Sequence, residues 1–219
     1  GFLPGRSMLA NVIDVDEAMM RTALTDDHGL AIFFDFKAAF PSVLHEFLLE
    51  TLRHIGLPPE IMHFIDALYC NNHCTISLGG SQHEGFSIHS GIRQGCPLSP
   101  LLFAVAADLL LRRIQRLLPT ATIRAFADDV AVVVPNGLSS IRQLSQIFSE
   151  FSIFSGLQLN LPKTVIVPLW RSAPTQLRFR ISDLAPCWTS INIQYSAKYL
   201  GFVMGPERGE TGWSKPLAK

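Results

Sequence analysis

Apolar and polar positions recur along the chain with two periods, and the period identifies the element. Ser7 stands as an N-cap before a helix reaching Leu24, whose Leu9, Val12, Ile13, Met19, Met20 and Ala23 form a broad apolar stripe. Asp26-Asp27-His28-Gly29 is a turn, and Leu30 to Phe36 is an apolar run closing on Asp35, the pattern of a strand buried on both faces. Pro41 breaks it. Helical spacing returns from Val43 to Ile55, stops at Gly56 and Pro58-Pro59, and resumes from Glu60 to Tyr69. Thr75–Leu78 and Gly85–Ile88 are two strands around Gly79-Gly80-Ser81-Gln82, a hairpin signal, and Ser90–Pro97 is a loop. Ser99 followed by Pro100 pairs an N-cap with a first-turn proline and opens a long helix to about Leu117. Thr122–Phe126 and Val130–Val134 flank Ala127-Asp128-Asp129, which places the acidic pair at a tight hairpin turn. A helix from Ser139 to Ser155 ends at Gly156, and short strands follow at Thr164–Leu169, Leu177–Ile181 and Tyr195–Val203.

Strands from distant parts of the chain, separated by helices, imply an α+β architecture with helices covering one sheet face. The sequence has no internal repeat, and no linker precedes Ser172, after which the pattern weakens.

Composition narrows the class. The chain has 219 residues, 48% hydrophobic and 16% charged, enough apolar material for a large core. A formal net charge of zero gives no overall basic signature for nucleic acid. Local cations remain, in Arg112, Arg113 and Arg116 on one helix and Arg171, Arg178 and Arg180 near the end, and such groups usually form solvated faces. The cysteines Cys70, Cys74, Cys96 and Cys187 fit a reducing compartment rather than a disulfide framework. His63, Cys70, His73 and Cys74 have zinc-ligand chemistry but match no standard finger spacing. The longest apolar stretch, Leu98 to Leu111, is interrupted by Asp108, ended by Arg112 and too short for a bilayer. The opening Gly-Phe-Leu-Pro-Gly-Arg-Ser reads as the middle of a longer chain.

Asp35 ends a buried strand among Phe33, Phe34 and Phe36, where a carboxylate is costly unless a charge or donor offsets it. Asp128 and Asp129 repel each other unless a cation neutralises them. Bringing the strand-end aspartate to the hairpin creates an oxygen-rich pocket suited to Mg²⁺, with positions left for substrate phosphates. The plain alternative is a turn with two solvated aspartates, a common turn residue. Asp14, Asp16, Asp26, Asp27 and Asp66 occupy polar or helical contexts and read as ordinary surface acids.

Several segments together resemble reverse transcriptases, particularly those of non-LTR retrotransposons. Phe33-Phe34-Asp35-Phe36-Lys37-Ala38-Ala39-Phe40 is similar to the family's first aspartate motif. Gly91-Ile92-Arg93-Gln94-Gly95-Cys96-Pro97-Leu98-Ser99-Pro100 is similar to its template and nucleotide loop, and Phe126-Ala127-Asp128-Asp129 to its catalytic hairpin. Gly156-Leu157-Gln158-Leu159-Asn160 through Lys163-Thr164 resembles the segment after the palm helix, and Tyr199-Leu200-Gly201 the primer grip. Gly1-Phe2 to Arg6-Ser7 resembles the stretch before the first aspartate motif. The match is collinear over residues 1–203, leaving 204–219 as an unassigned tail.

The resemblance implies a polymerase palm with an antiparallel sheet backed by helices and partial fingers. It implies Asp35, Asp128 and Asp129 as catalytic acids, with Asp35 and Asp128 favoured for direct metal contact and the Phe36 carbonyl as a further ligand. Phe40 would lie beneath the incoming sugar and exclude a 2′-hydroxyl, or else be a plain core residue. Gln94 and Gly95 would lie against the nascent base pair. Lys163 would contact the triphosphate, unless it is an exposed lysine with no task. Tyr199, Leu200 and Gly201 would bear on the primer end. Two Mg²⁺ ions, or Mn²⁺, an RNA template, a DNA primer, deoxynucleoside triphosphates and further polyprotein domains are the implied cofactors and partners, with no membrane. The implied location is intracellular, and nuclear in a eukaryotic host. Basic fingers segments, thumb, endonuclease and zinc-knuckle regions have no counterpart here, which leaves a decayed, catalytically silent remnant as one alternative. A group II intron type enzyme is the other.

Overall fold

The computed structural model describes residues 5–209, so the expectations for Gly1–Pro4 and 210–219 lie outside the described residues. In chain order the elements are α1 (Met8–Thr25), β1 (Leu30–Phe34), a single turn of helix α2 (Ala39–Ser42), α3 (His45–Ile55), α4 (Pro59–Tyr69), β2 (His73–Leu78), β3 (Ser81–Ser87) and α5 (Ser99–Leu117). There follow β4 (Thr122–Phe126), β5 (Asp129–Val134), α6 (Gly137–Ser155), β6 (Val165–Pro168), α7 (Pro174–Leu184), a 3-10 turn at Pro186–Trp188, β7 (Asn192–Ile193), β8 (Ala197–Tyr199) and β9 (Phe202–Met204).

Five strands form the central sheet in the order β4-β5-β1-β6-β7, antiparallel except for the short β6–β7 pair. β1 is central and buried along its whole length, which explains its unbroken apolar run. Its alternate residues feed two cores. Leu30, Ile32 and Phe34 join Val130, Val132 and Val134 against α3, α5, α6 and α7, with Leu48, Leu52, Phe103, Leu110, Ile141 and Leu144 filling the layer. Each such Leu or Ile contributes roughly 1.5–3 kcal/mol through burial. Ala31 and Phe33 join Ala131 and Val133 against Val12, Val15, Ala18 and Met19 of α1 and against the β8–β9 hairpin. Helices were expected on one face only; the other face is covered as well, by α1 and the small hairpin, because β1 and β5 are apolar on both sides.

Local signals explain most boundaries. The Ser7 hydroxyl accepts from the Ala10 N–H at 3.5 Å and caps α1. Gly156 ends α6 at φ +79°, a left-handed position where its N–H reaches the Ser152 carbonyl at 3.0 Å. β2 and β3 pair as an exposed two-stranded unit apart from the main sheet.

Other expectations need correction. Leu177–Ile181 lies inside helix α7 rather than a strand: Leu177 and Ile181, four residues apart, bury one helical face, and Pro174 sits in the first turn. Tyr195–Val203 is not one strand but a turn-linked hairpin, β8–β9. Ser99 lies inside α5 and does not cap it; its hydroxyl donates to the Arg93 carbonyl instead. Three of the five acids read as ordinary surface residues have side-chain partners in other elements. Asp14 pairs with Arg124 at 2.7 Å, Asp16 pairs with Arg208, and Asp26 accepts from the N–H groups of His28 (2.7 Å) and Asn136 (3.0 Å). In the basic helix cluster, Arg112 pairs with Asp108 and Arg113 with Glu150. No helix among the described residues is long and apolar enough to cross a membrane.

The α6 boundary generates a stability prediction. A Cβ at Gly156 would sit 2.1 Å from the Ser42 carbonyl oxygen, besides the left-handed φ. Gly156→Ala should therefore cost roughly 2–4 kcal/mol in urea unfolding; an unchanged midpoint would remove this contact from the account.

Candidate active site

The last paired couple between β1 and β5 is Phe34 with Val130, and one further step of the same register sets Asp35 opposite Asp129. By strand alternation both belong to the face that carries Phe33 and Ala131. Asp35 is half-buried, and its Oδ2 atom is fully enclosed without a hydrogen-bond partner among the described residues. A buried acceptor in that condition is costly, and a cation relieves it. Asp128 and Asp129 are exposed residues. Desolvation of its carboxyl first, and then the charges of Asp128 and Asp35, raise the Asp129 pKa above the ordinary aspartate value. The three acids thus share one electrostatic neighbourhood. They do not close into a cage: among the described residues no three His, Cys, Asp or Glu side chains group closely enough to hold an ion. The donor set, carboxylates with one orphaned buried oxygen, fits a hard divalent cation that brings its own waters.

The acidic turn is tighter than expected. Phe126 pairs with Asp129, so the loop is only Ala127 and Asp128, and Asp129 begins β5. Ala127 has φ +55°, a left-handed position costing about 1–3 kcal/mol for a residue with a Cβ. Such strain persists only where neighbours impose it. Here the strand pairing does so, because a two-residue loop that matches the twist of its strands puts a positive φ at its first position; α1 in turn fixes β4, the Asn11 amide donating to the Ala125 carbonyl at 2.9 Å and Asp14 holding Arg124. β4 is the edge strand, so its outward backbone groups need partners from outside the sheet. From beneath, the buried Tyr199 ring packs at 5.6 Å from Phe33, and its hydroxyl donates to the Arg124 carbonyl at 3.4 Å. Burial, chiefly, lifts the Tyr199 pKa far above the phenol range; a hydrogen bond with Asn11 works the other way and the nearby Asp129 charge adds to the rise.

Behind Asp35, the backbone is tied to the loop between α6 and β6. The Asp35 carbonyl accepts from the Asn160 N–H at 2.7 Å, its N–H donates to the Thr164 hydroxyl at 3.3 Å, and the Lys37 N–H donates to the Gln158 carbonyl at 2.8 Å. Phe36 bridges Leu159, and the antiparallel pattern turns the N–H and C=O of Phe36 away from that segment, toward the β5 side. Lys163 is exposed on the same loop.

Phe40 lies on α2, half-buried, its ring stacked on Phe103 of α5 at 4.4 Å. Its carbonyl accepts from the Ile92 N–H at 2.8 Å, and the Val43 carbonyl from the Gly91 N–H at 2.8 Å. The His45 ring nitrogen Nε2 lies 2.9 Å from the Gly91 carbonyl, which can only accept, so Nε2 carries the proton. These bonds anchor the base of the loop that exposes Gln94 and Gly95. Gly95 has φ +89° with nothing within 4 Å of an added Cβ, so backbone conformation rather than packing selects glycine there. Across the molecule, Leu200 (φ +50°) and Gly201 (φ +91°) form the two-residue β8–β9 turn. A cleft of about 250 Å³ opens beside β4, lined by Arg6, Asn11, Phe103, Asp108, Arg124 and Ala127 among others. None of the three aspartates lines it, so it borders the acidic turn without being the carboxylate site.

Residues 1–204 match the sequence family described as "Reverse transcriptase (RNA-dependent DNA polymerase)". The chain belongs to the reverse transcriptase family. Among curated relatives, this reverse transcriptase is 25% identical over 218 residues to the transposon TX1 uncharacterized 149 kDa protein of Xenopus laevis, covering 94% of the chain and 16% of that protein. It is 36% identical over 123 residues to the R2 retrotransposable element Pol polyprotein of Nasonia vitripennis, covering 53% of the chain and 12% of the relative. To the Drosophila melanogaster R2DM Pol polyprotein it is 28% identical over 173 residues, covering 76% of the chain and 16% of the relative. The chain thus spans under a fifth of each of these proteins, and the non-LTR type of reverse transcriptase expected from the motifs is the type such elements carry. Among solved structures, apo telomerase from Candida tropicalis, truncated from its C-terminal domain, superposes with a TM-score of 0.59 at 13% identity, over 90% of this chain and 37% of that one. The shared fold is the polymerase palm, and the family is one of nucleotidyltransferases.

Asn11, Asp14, Arg124 and Thr164 around the site were missed from sequence. Thr164 falls within the segment that resembles the family, without a role of its own, and Asn11 stands as an amide beside the buried Val12 in α1.

The raised Asp129 pKa carries a sign. The folded state holds the proton more tightly than the unfolded state, so stability falls as pH rises through that window and the penalty is complete above it. Asp129→Asn should therefore raise Tm in metal-free neutral buffer, and the gain should shrink toward about pH 4, the ordinary aspartate range. Equal Tm values at both ends would show that the carboxylate is not electrostatically strained.

Proposed function

We propose that this chain is the catalytic palm of an RNA-directed DNA polymerase, acting within a non-LTR retrotransposon polyprotein and adding deoxynucleotides to a primer 3′-hydroxyl on an RNA template. The observation that carries this reading is the register that sets Asp35 opposite Asp129, with a buried, unpartnered Asp35 oxygen beside the Asp128–Asp129 turn. Asp35, Asp128, Asp129 and the Phe36 carbonyl would hold two Mg²⁺ ions, with Mn²⁺ as a substitute. When bound, such a pair supplies activation of the 3′-hydroxyl and stabilisation of the leaving pyrophosphate during in-line displacement.

The protein's own residues position the reactants. Phe40, braced by Phe103, would press beneath the incoming sugar and leave no room for a 2′-hydroxyl. Gln94 and Gly95 would bear on the nascent base pair from their anchored loop, and Lys163 would meet the triphosphate. The Leu200–Gly201 turn, with Tyr199 as its buried footing, would support the primer end through its backbone. RNA template, DNA primer, deoxynucleoside triphosphates and further polyprotein domains are the proposed partners. The proposed location is intracellular, and nuclear if the host is a eukaryote.

Two measurements test this in the longest open frame that contains the chain. Asp128→Ala combined with Asp129→Ala should reduce primer extension on RNA at least about 1,000-fold, and activity surviving that double change would rule out the site. Phe40→Val should lower discrimination against ribonucleotides roughly 10–100-fold; an unaltered preference for deoxynucleotides would take Phe40 out of the sugar contact.

A further inference from the structure

Antiparallel pairing between β1 and β6 ends at Phe33 with Val165, so the Asp35 N–H lies just past the last backbone couple. Thr164 supplies the acceptor in its place. Its side chain is completely buried, and its hydroxyl oxygen accepts from the Asp35 N–H at 3.3 Å while donating to the Asn160 carbonyl at 3.1 Å. Asn160 in turn donates its N–H to the Asp35 carbonyl at 2.7 Å. The result is a closed ring of hydrogen bonds: Asp35 N–H to Thr164 hydroxyl, Thr164 hydroxyl to Asn160 carbonyl, Asn160 N–H to Asp35 carbonyl. The Thr164 backbone is itself fixed, its N–H on the Asn160 carbonyl at 2.9 Å and its carbonyl on the Asn192 N–H at 3.2 Å. The same loop carries Lys163, whose N–H also donates to the Asn160 carbonyl, at 3.0 Å.

We infer that Thr164 is a positioning residue for Asp35, its hydroxyl locking the strand end that presents this carboxylate to the loop that bears Lys163. The inference rests on the polymerase reading above. Both backbone polar groups of Asp35 are committed to the ring, so the Cα–Cβ direction, and with it the aim of the carboxylate, is set by the Asn160 backbone on one side and the Thr164 hydroxyl on the other. Outer-shell partners of this kind act on rate and metal affinity rather than on substrate contact, and small displacements of a reacting group are costly.

Thr164→Val keeps the shape of the side chain and removes the hydroxyl. In the longest open frame that contains the chain, it should lower kcat for primer extension about 10-fold or more and weaken Mn²⁺ binding, followed by water-proton relaxation, by a similar factor, with the nucleotide KM within about twofold. Thr164→Ser, which retains the hydroxyl, should restore both quantities. Valine matching wild type in kcat and metal affinity overturns the inference, and so does serine being as impaired as valine. Amide hydrogen exchange on the unsubstituted protein gives a readout independent of whether the valine variant folds: the Asp35 N–H should be protected, and exchange as fast as in an open loop overturns the bond itself. The Asp128→Ala, Asp129→Ala double variant separates the two levels. If it still extends primers, the polymerase reading fails; if it is inactive while valine at 164 behaves as wild type, only the positioning role fails.

Discussion

The antiparallel pairing of β1 with β5 is the constraint on which the site depends. Two acidic segments nearly a hundred residues apart reach one place because five consecutive couples, Leu30–Val134 through Phe34–Val130, leave no freedom at the next position. The register is enforced from both sides, since a slip by one residue would send Ile32 and Phe34 out of one core and Ala31 and Phe33 out of the other. Two dry faces make that slip prohibitive. The placement of Asp35 and Asp129 is thus a by-product of hydrophobic packing rather than of attraction between them, for the carboxylates oppose their own approach.

This division of labour accounts for the layout around the acids. The apolar core brings the carboxylates together and the polar periphery trims their aim. Asn11 and Asp14 grip the β4 side of the turn, Tyr199 supports it from below, and the loop at Gln158–Thr164 grips the β1 side. The half-buried Arg124–Asp14 pair, still largely in contact with solvent, is worth about 1 kcal/mol as a stabiliser. Its value lies in restricting where β4 can go.

Much of this was legible in the sequence where the signal was local. The apolar run from Leu30 to Phe36 marks a strand covered on both faces, which the structure ends at Phe34; Gly156 marks the end of α6, and Asp128-Asp129 between two β-rich runs marks a hairpin. What escaped was either ambiguous in period or long in range. Leu177–Ile181 reads along the chain as a short strand, although the spacing of four between its two buried residues and Pro174 ahead of them fit a helix. Asp14 and Arg124 are 110 residues apart and Asp35 and Thr164 are 129 apart, so no window along the chain contains both partners. The three aspartates proposed as catalytic acids are singled out by motif resemblance, which carries information about convergence that periodicity does not.

The left-handed Ala127 gives the acidic loop a property of its own. In a two-residue hairpin that conformation is the one that keeps Phe126 paired with Asp129, so the direction of Asp128 is fixed by the strands on either side of it. α1, an element that precedes the first aspartate in the chain, bonds to β4 through Asn11 and Asp14. The N-terminal helix and the acidic tip are therefore joined through a single strand, and a substitution in α1 reaches Asp128 only by moving β4.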